Sequence, residues 1–319
     1  MQNQRTRQIT NGALMAAVFT VLLAFSVYVP IFSVITMFFL VLPIAWYSAK
    51  YPWKPSLLFS AAALFLSFII GGIFAVPVGL LYIPFGLMIG FSIYYKKSKL
   101  YMFIGSSIIT LLSVMLQYLA TIWLFGINVI EEYITATKTT FTNGGNWMER
   151  LGGTEQQIEE YNETVSNMLM TMETMMPTLI VLSVFMVVWI HLLINLPILK
   201  RFGIAVPKFP PFADMKLPKS VLWYYLIVLL ISLLSDLEQG TMVYLAFMNA
   251  TMLLQMLLFL QGISFYHFYI KQEGWPKWVA VVVTVLALPL QAFTIIVGIV
   301  DLGFDIRGWV KKAHDFKGK

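Results

Sequence analysis

The sequence predicts an all-α, polytopic helical membrane protein with eight to nine transmembrane helices and a cytoplasmic N-terminus. Three observations carry that prediction. Hydrophobic residues make up 59% of the chain, charged residues only 11%, and mean hydropathy is +0.81, far from the mixture of a soluble domain. The apolar residues come in runs of about 20, the length a helix needs to cross a ~30 Å hydrocarbon core. Lys and Arg fall in short clusters between those runs while the acids gather in one interval, a segregation that membranes impose.

The first run, Gly12 to Val29, follows Arg5 and Arg7. It superficially resembles a secretory leader. However, it is about as long as a crossing requires, lacks a convincing small-x-small cleavage site and leads directly into more apolar sequence, so it is expected to remain as a first helix. Pro30 marks a tight turn. The second run, Ile31 to Ala49, ends at Lys50, Tyr51, Trp53 and Lys54, the aromatics and cations of a cytoplasmic membrane edge. Leu57 to Gly71 and Val76 to Tyr95 supply a third and fourth span, turning at Gly71-Gly72 and closing on Lys96, Lys97 and Lys99. The fifth span is Tyr101 to Phe125.

Ile127 to Met176 is the long interval not built for lipid. It carries Glu131, Glu132, Glu149, Glu155, Glu159, Glu160, Glu163 and Glu173 against Lys138 and Arg150, a net charge of −6 in a chain whose total is +6. Asn143-Gly144-Gly145-Asn146 and Gly152-Gly153 are loop punctuation. Thr154-Glu-Gln-Gln157 matches a capping box, and apolar positions from Ile158 and Tyr161 to Met176 recur at helical spacing, so Thr154 to Met176 is expected to be an amphipathic helix. Its methionine-rich face would suit a lid over an outward pocket, or an element lying flat on the membrane. Pro177 is expected to bend the junction with a sixth span, Thr178 to Leu199.

A basic connector, Lys200 to Lys219, follows. Pro207, Pro210, Pro211 and Pro218 exclude a regular helix and point to an extended linker. Beyond it lie a seventh run, Val221 to Ser235, an eighth, Thr241 to Ile270, and a ninth, Trp278 to Val300, with Pro289 at its middle. The chain thus divides into a six-helix membrane core (1–199, with 127–176 outside the membrane), a cytoplasmic connector (200–219) and a C-terminal membrane unit of two to three helices with a basic tail (220–319). On this map the inner segments hold Arg5, Arg7, Lys50, Lys54, Lys96, Lys97, Lys99, Lys200, Arg201, Lys208, Lys216, Lys219, Lys271 and Lys277, against Lys138 and Arg150 outside, which sets the orientation. Nine crossings would place Arg307, Lys311, Lys312, Lys317 and Lys319 outside; a last segment broken at Pro289 would keep them inside.

The expected spans hold almost no charged groups: no Asp, Glu, Lys or Arg from Ile9 to Ala49 or from Leu57 to Tyr95, and only His191 in the sixth. A proton-coupled carrier needs a titratable stop at mid-membrane, so that machinery is missing. Asp236, Glu238 and Asp301 fall at helix ends, where headgroup solvation is the expected environment. His191, His267 and His314 stand on separate segments, giving neither a metal site nor a catalytic dyad. The chain has no Cys, Walker loop, nucleophile elbow or HExxH, and hence no expected catalytic residue, metal or cofactor, and it is not expected to be an enzyme. No basic domain survives outside the spans to bind nucleic acid.

Three groupings invite function. His191 and Asn195, four apart, share a helix face, where they serve either a ligand or an interhelical hydrogen bond. Tyr82 in the fourth span, with Gln117, Tyr118, Thr121 and Trp123 in the fifth, would suit a small-ligand site or an aromatic belt. Ala13 with Ala17, and Gly86 with Gly90, give smooth faces for close helix approach, ordinary internal packing being the simpler use.

Leu260-Gln261-Gly262-Ile263-Ser264, Trp275-Pro276-Lys277-Trp278 and Gly298-x-x-Asp301-x-x-Phe304-Asp305-x-Arg307 resemble the YybS family of uncharacterised bacterial membrane proteins, and that likeness covers essentially the whole chain. The first six spans resemble the substrate-binding subunit of energy-coupling-factor vitamin transporters, through the basic N-terminus, Ala13-x-x-x-Ala17, the stretch Gly71 to Gly90 and Lys96-Lys97. This second resemblance implies that Ala13 and Ala17 dock a transmembrane coupling subunit served by ATPases, with a small organic ligand bound near the outer side. It leaves the acidic interval and three extra helices unaccounted for. The expectation is therefore a multi-pass cell-membrane protein that binds or helps import a vitamin-like molecule; the alternative is a non-transporting scaffold or regulator.

Overall fold

The computed structural model describes residues 2–208, 211–235, 237–304 and 306–317, of which 2–4 and 313–317 by backbone alone. Pro210, Asp236, Asp305 and Lys319, and the side chains of His314 and Lys317, lie outside the described residues. The described residues form α-helices and one 3-10 turn, with no strand. They make two compact units, residues 1–137 with 181–208, and 138–180 with 209–319.

The first unit contains α1 (Gln2–Tyr28), α2 (Pro30–Met37), α3 (Val41–Lys50), α4 (Trp53–Tyr94), α5 (Lys99–Phe125) and the C-terminal part of α7 (Glu155–Arg201). Pro30 opens α2 because a first-turn residue has no intrahelical use for its N–H. Together α2 and α3 form the second apolar run, joined by a tight turn in which Phe39 N–H bonds Thr36 and Leu40 N–H bonds Met37. The 42 residues of α4 are interrupted at Gly71 and Gly72, the latter at φ +60° and ψ −151°, a conformation only glycine adopts cheaply. Its two arms fold back on each other: a Cβ at Gly79 would lie 2.7 Å from Ser67 Oγ and 3.2 Å from Leu64 Cδ1. These arms are the expected third and fourth spans.

Gly86 and Gly90 have the simpler of their two uses. They seat α4 on α3, where a Cβ at Gly90 would lie 2.4 Å from Ser48 Cβ and 2.7 Å from the Ala45 carbonyl. On α1, Gly12 packs against the Tyr47 ring while Ala13 and Ala17 face outward.

The second unit begins within α6 (Val129–Arg150), which differs from expectation. Residues 143–146 stay helical rather than forming a loop, because Tyr161 of α7 lies against Gly144 and Gly145 and donates its hydroxyl to the Phe141 carbonyl at 2.9 Å. The turn expected at Gly152-Gly153 is present, with Gly152 at φ +84°. The capping box is present: Gln157 N–H reaches Thr154 Oγ1 at 3.3 Å, and Gln157 Oε1 accepts from Thr154 N–H at 3.0 Å.

Helix α7 continues through Pro177. Asn249 repairs the ladder there, accepting from Thr178 N–H at 3.0 Å and donating to the Thr174 carbonyl at 2.7 Å, the two groups that would otherwise bond each other. The connector holds a 3-10 turn (Phe212–Asp214), followed by α8 (Ser220–Leu234), α9 (Met242–Gln272), α10 (Lys277–Ala287), α11 (Gln291–Phe304) and α12 (Ile306–Lys317). The ninth apolar run is not one straight helix: α10 and α11 meet at 114° across Pro289.

Six described helices are long and apolar enough to cross a membrane, or seven with the bent pair counted as one. The fold at Gly71-Gly72 gives α4 two arms, and α8, at 15 residues, is ~22 Å long and shorter than the hydrocarbon core. Large apolar side chains such as Phe74, Leu116, Leu234 and Met242 are exposed, as a lipid-facing surface requires.

Where α9 and α11 cross, backbone meets backbone. A Cβ at Gly262 would lie 2.1 Å from the Thr294 carbonyl, and one at Gly298 2.0 Å from that of Leu258. Gly298→Ala is expected to lower stability by about 1–3 kcal/mol through overpacking, whereas Gly303→Ala, whose Cβ would sit 3.6 Å from Leu222, leaves it unchanged; thermal unfolding in detergent distinguishes them.

Candidate functional site

Each unit holds one buried polar centre. In the first, the span broken between α2 and α3 presents Phe38, and α7 answers with His191 and Asn195, both buried. The imidazole sits among three aromatic rings, Phe38, Phe85 and Tyr82, at centroid distances of 5.1, 5.3 and 5.7 Å. Its Nδ1 lies 2.8 Å from the Val187 carbonyl, the Met37 backbone also approaches the ring, and Nε2 is buried without a hydrogen bond of good geometry. The Asn195 amide donates to the carbonyls of Phe38 and His191, both at 2.9 Å, leaving Oδ1 buried and unpartnered.

The structure therefore brings Tyr82, His191 and Asn195 together. Gln117 and Thr121 share a face of α5, where the Thr121 hydroxyl donates to the Gln117 carbonyl at 2.9 Å and the Gln117 amide nitrogen is buried without a partner. Ser106, Thr110 and Ser113 continue that polar stripe at helical spacing. Trp123 is 85% exposed and turned away from the centre. The Tyr118 hydroxyl donates to Asn128 Oδ1 at 3.0 Å.

The second centre was not expected from the sequence. Asp301 is fully buried rather than solvated at a helix end, and it pairs with Arg307. Arg307 Nε donates to both carboxylate oxygens at 2.9 and 3.2 Å, Nη1 to the Ala213 carbonyl at 2.9 Å, and Nη2 to Ser264 Oγ at 3.1 Å. Gln261 donates to Asp301 and accepts from Leu217 N–H at 2.9 Å. The Ser264 hydroxyl lies 2.8 Å from the carbonyls of Phe212 and Met215. The guanidinium also stands 5.3 Å from the centroid of the Phe268 ring.

In this way Gln261 and Ser264 on α9 bind the proline-rich connector directly, and with Phe268 on the same face they hold the start of α12 through the Asp301–Arg307 pair. Glu238, by contrast, is exposed near the start of α9, as a helix-end acid should be. The sequence signal for the second centre is the acid and arginine six residues apart beyond Gly298. Its partners Gln261 and Ser264 lie about forty residues earlier, out of reach of any local pattern.

No group of three or more metal-ligating side chains occurs among the described residues. A fully satisfied buried pair is built to hold position; removing one member strands the other. Arg307→Leu is expected to cost about 3–5 kcal/mol, and Asp301→Leu combined with Arg307→Leu less than Arg307→Leu alone. Thermal unfolding in detergent as a double-mutant cycle reads the coupling.

A family model described as "Predicted membrane protein (DUF2232)" matches residues 17–302, a range that contains His191, Asn195, Gln261 and Asp301. The chain is 30% identical over 311 residues to "Uncharacterized protein YybS" of Bacillus subtilis (strain 168), an alignment covering 97% of this chain and 100% of that protein. No solved structure matches. Full-length likeness of this kind, on a chain of long apolar helices, means that this is an integral membrane protein belonging to the YybS-like DUF2232 family.

Proposed function

We propose that the first unit is a binding unit for a small, uncharged polar molecule, serving a cell-membrane import component that draws its energy from a partner. One observation carries this reading. Among the described residues, the buried polar side-chain atoms without a hydrogen-bond partner are on Ser48, Ser60, Ser106, Thr110, Gln117, His191 and Asn195, and all of them belong to the first unit. Each such atom costs about 1–3 kcal/mol, and more where lipid replaces water. A fold that keeps so many loses stability unless another molecule completes them.

The lack of any acid or cation in the first four spans points to a neutral ligand, and the rings of Phe38, Tyr82 and Phe85 would give it apolar walls. The outward face of Ala13 and Ala17 on α1 is the docking surface proposed for a transmembrane coupling subunit with its ATPases, since small exposed side chains there allow close helix approach.

The scaffold reading draws support from a different place, an open acidic cleft of about 600 Å³ on the α6–α7 hairpin lined by Glu149, Glu155, Glu159 and Glu163, which would favour a basic partner.

Native mass spectrometry of protein taken from its host membrane tests the binding reading. The expected result is a small neutral molecule on the wild type that is lost in His191→Phe. That variant should melt at nearly the same temperature, because the unpartnered Nε2 it removes offsets the Val187 hydrogen bond lost with Nδ1 and a ring is kept. A bare wild type, or a ligand unaffected by His191→Phe, contradicts the proposal. Independently, Ala13→Leu with Ala17→Leu is expected to abolish co-purification of a coupling subunit and its ATPases; undiminished recovery removes that docking face.

A further inference from the structure

The most amphipathic of the described α-helices is α12, and it is turned the unusual way. Its buried residue is a cation: Arg307 is enclosed in the pair with Asp301, while Lys311, one turn on, is exposed and stands 5.6 Å from the centroid of the Phe268 ring. Its apolar residues are less enclosed. Trp309 is 65% exposed, and Ile306 and Val310 are only half-buried. A helix normally buries its apolar stripe against the core. Here the ion pair fixes the opposite rotation.

What covers the apolar side follows from what adjoins it. Phe304 at the end of α11, and Phe293 and Ile296 within it, are exposed on a segment that belongs to a membrane protein, so the outward side of α12 continues a lipid-facing surface. Lys312 is exposed beside Trp309, and Lys311 close by, the pairing of an aromatic wedge with cations that suits a headgroup layer. We propose that α12 lies in the membrane interface, with Trp309 inserted at the headgroup level and Lys311 and Lys312 binding anionic phospholipid. Arg307 is a positioning residue: its pairing with Asp301 sets the rotation that presents the other three. This proposal stands apart from the ligand proposed for the first unit, since it uses only second-unit residues.

Because the chain has no Cys, a single nitroxide can be attached through Trp309→Cys in the full-length protein. The protein would be reconstituted in phosphatidylcholine vesicles with or without phosphatidylglycerol. The expected spectrum shows a label relaxed by oxygen and shielded from a water-soluble nickel complex, unlike a label at Gly152→Cys in the α6–α7 turn. On the protein with Trp309 intact, native mass spectrometry should show phosphatidylglycerol retained over phosphatidylcholine, and Lys311→Gln with Lys312→Gln should reduce that preference about thirtyfold. Lys312→Gln alone, which leaves the Phe268 contact in place, should lower it by a smaller factor. A label at 309 open to the nickel complex places α12 in water, and one shielded from both relaxants places it against a protein partner or a second copy. Either result overturns the proposal, as does a phosphatidylglycerol preference that survives loss of both lysines.

Discussion

Polar groups buried in a membrane helix bundle have no water to fall back on, so each must find its partner within the protein or remain a standing cost. That constraint accounts for more of this molecule than its apolar packing does. Among the described residues the second unit meets it: Asp301, Arg307, Gln261, Ser264 and Thr294 are buried and bonded, and even the interrupted ladder at Pro177 is closed by Asn249. The first unit leaves it unmet at His191 Nε2, Asn195 Oδ1 and a row of hydroxyls.

The two units differ in a second way that follows from the first. In the second unit α9 acts as a hub, offering Asn249 to α7, Gln261 and Ser264 to the connector and α12, and His267 to Thr284 of α10 at 2.8 Å. Polar stitching over that length is possible because Gly262 and Gly298 let α9 and α11 touch along their backbones, which brings Asp301 within reach of Gln261. Replacing the glycines would therefore disturb the ion pair as well as the crossing. In the first unit the glycines of α4 seat it against α3 in the same manner, but the polar stripe on α5 and the pair on α7 have no such complement.

Much of the fold was legible because lipid enforces simple rules. Run length gave the apolar helices, Gly71-Gly72 their hairpin, and Thr154 with Gln157 a cap that needs only local spacing. Features decided by distant partners were not legible. Asn143 to Asn146 reads as a loop until Tyr161 lies against Gly144 and Gly145. Asp301 reads as a headgroup acid until Arg307 and Gln261 enclose it. Of the residues singled out for binding, Tyr82, His191 and Asn195 meet because α4 and α7 pack at the break between α2 and α3, whereas Trp123, on the same helix as Gln117, points away.

The ligand proposed for the first unit is what would complete its polar interior. An electron cryo-microscopy map of the protein in lipid nanodiscs made from its host membrane is the most direct measurement. The expected result is non-protein density within hydrogen-bonding distance of His191 Nε2 and Asn195 Oδ1, bounded by Phe38, Tyr82 and Phe85. Side chains packed solid at that position, with each of those atoms bonded to a group of the protein, would contradict it.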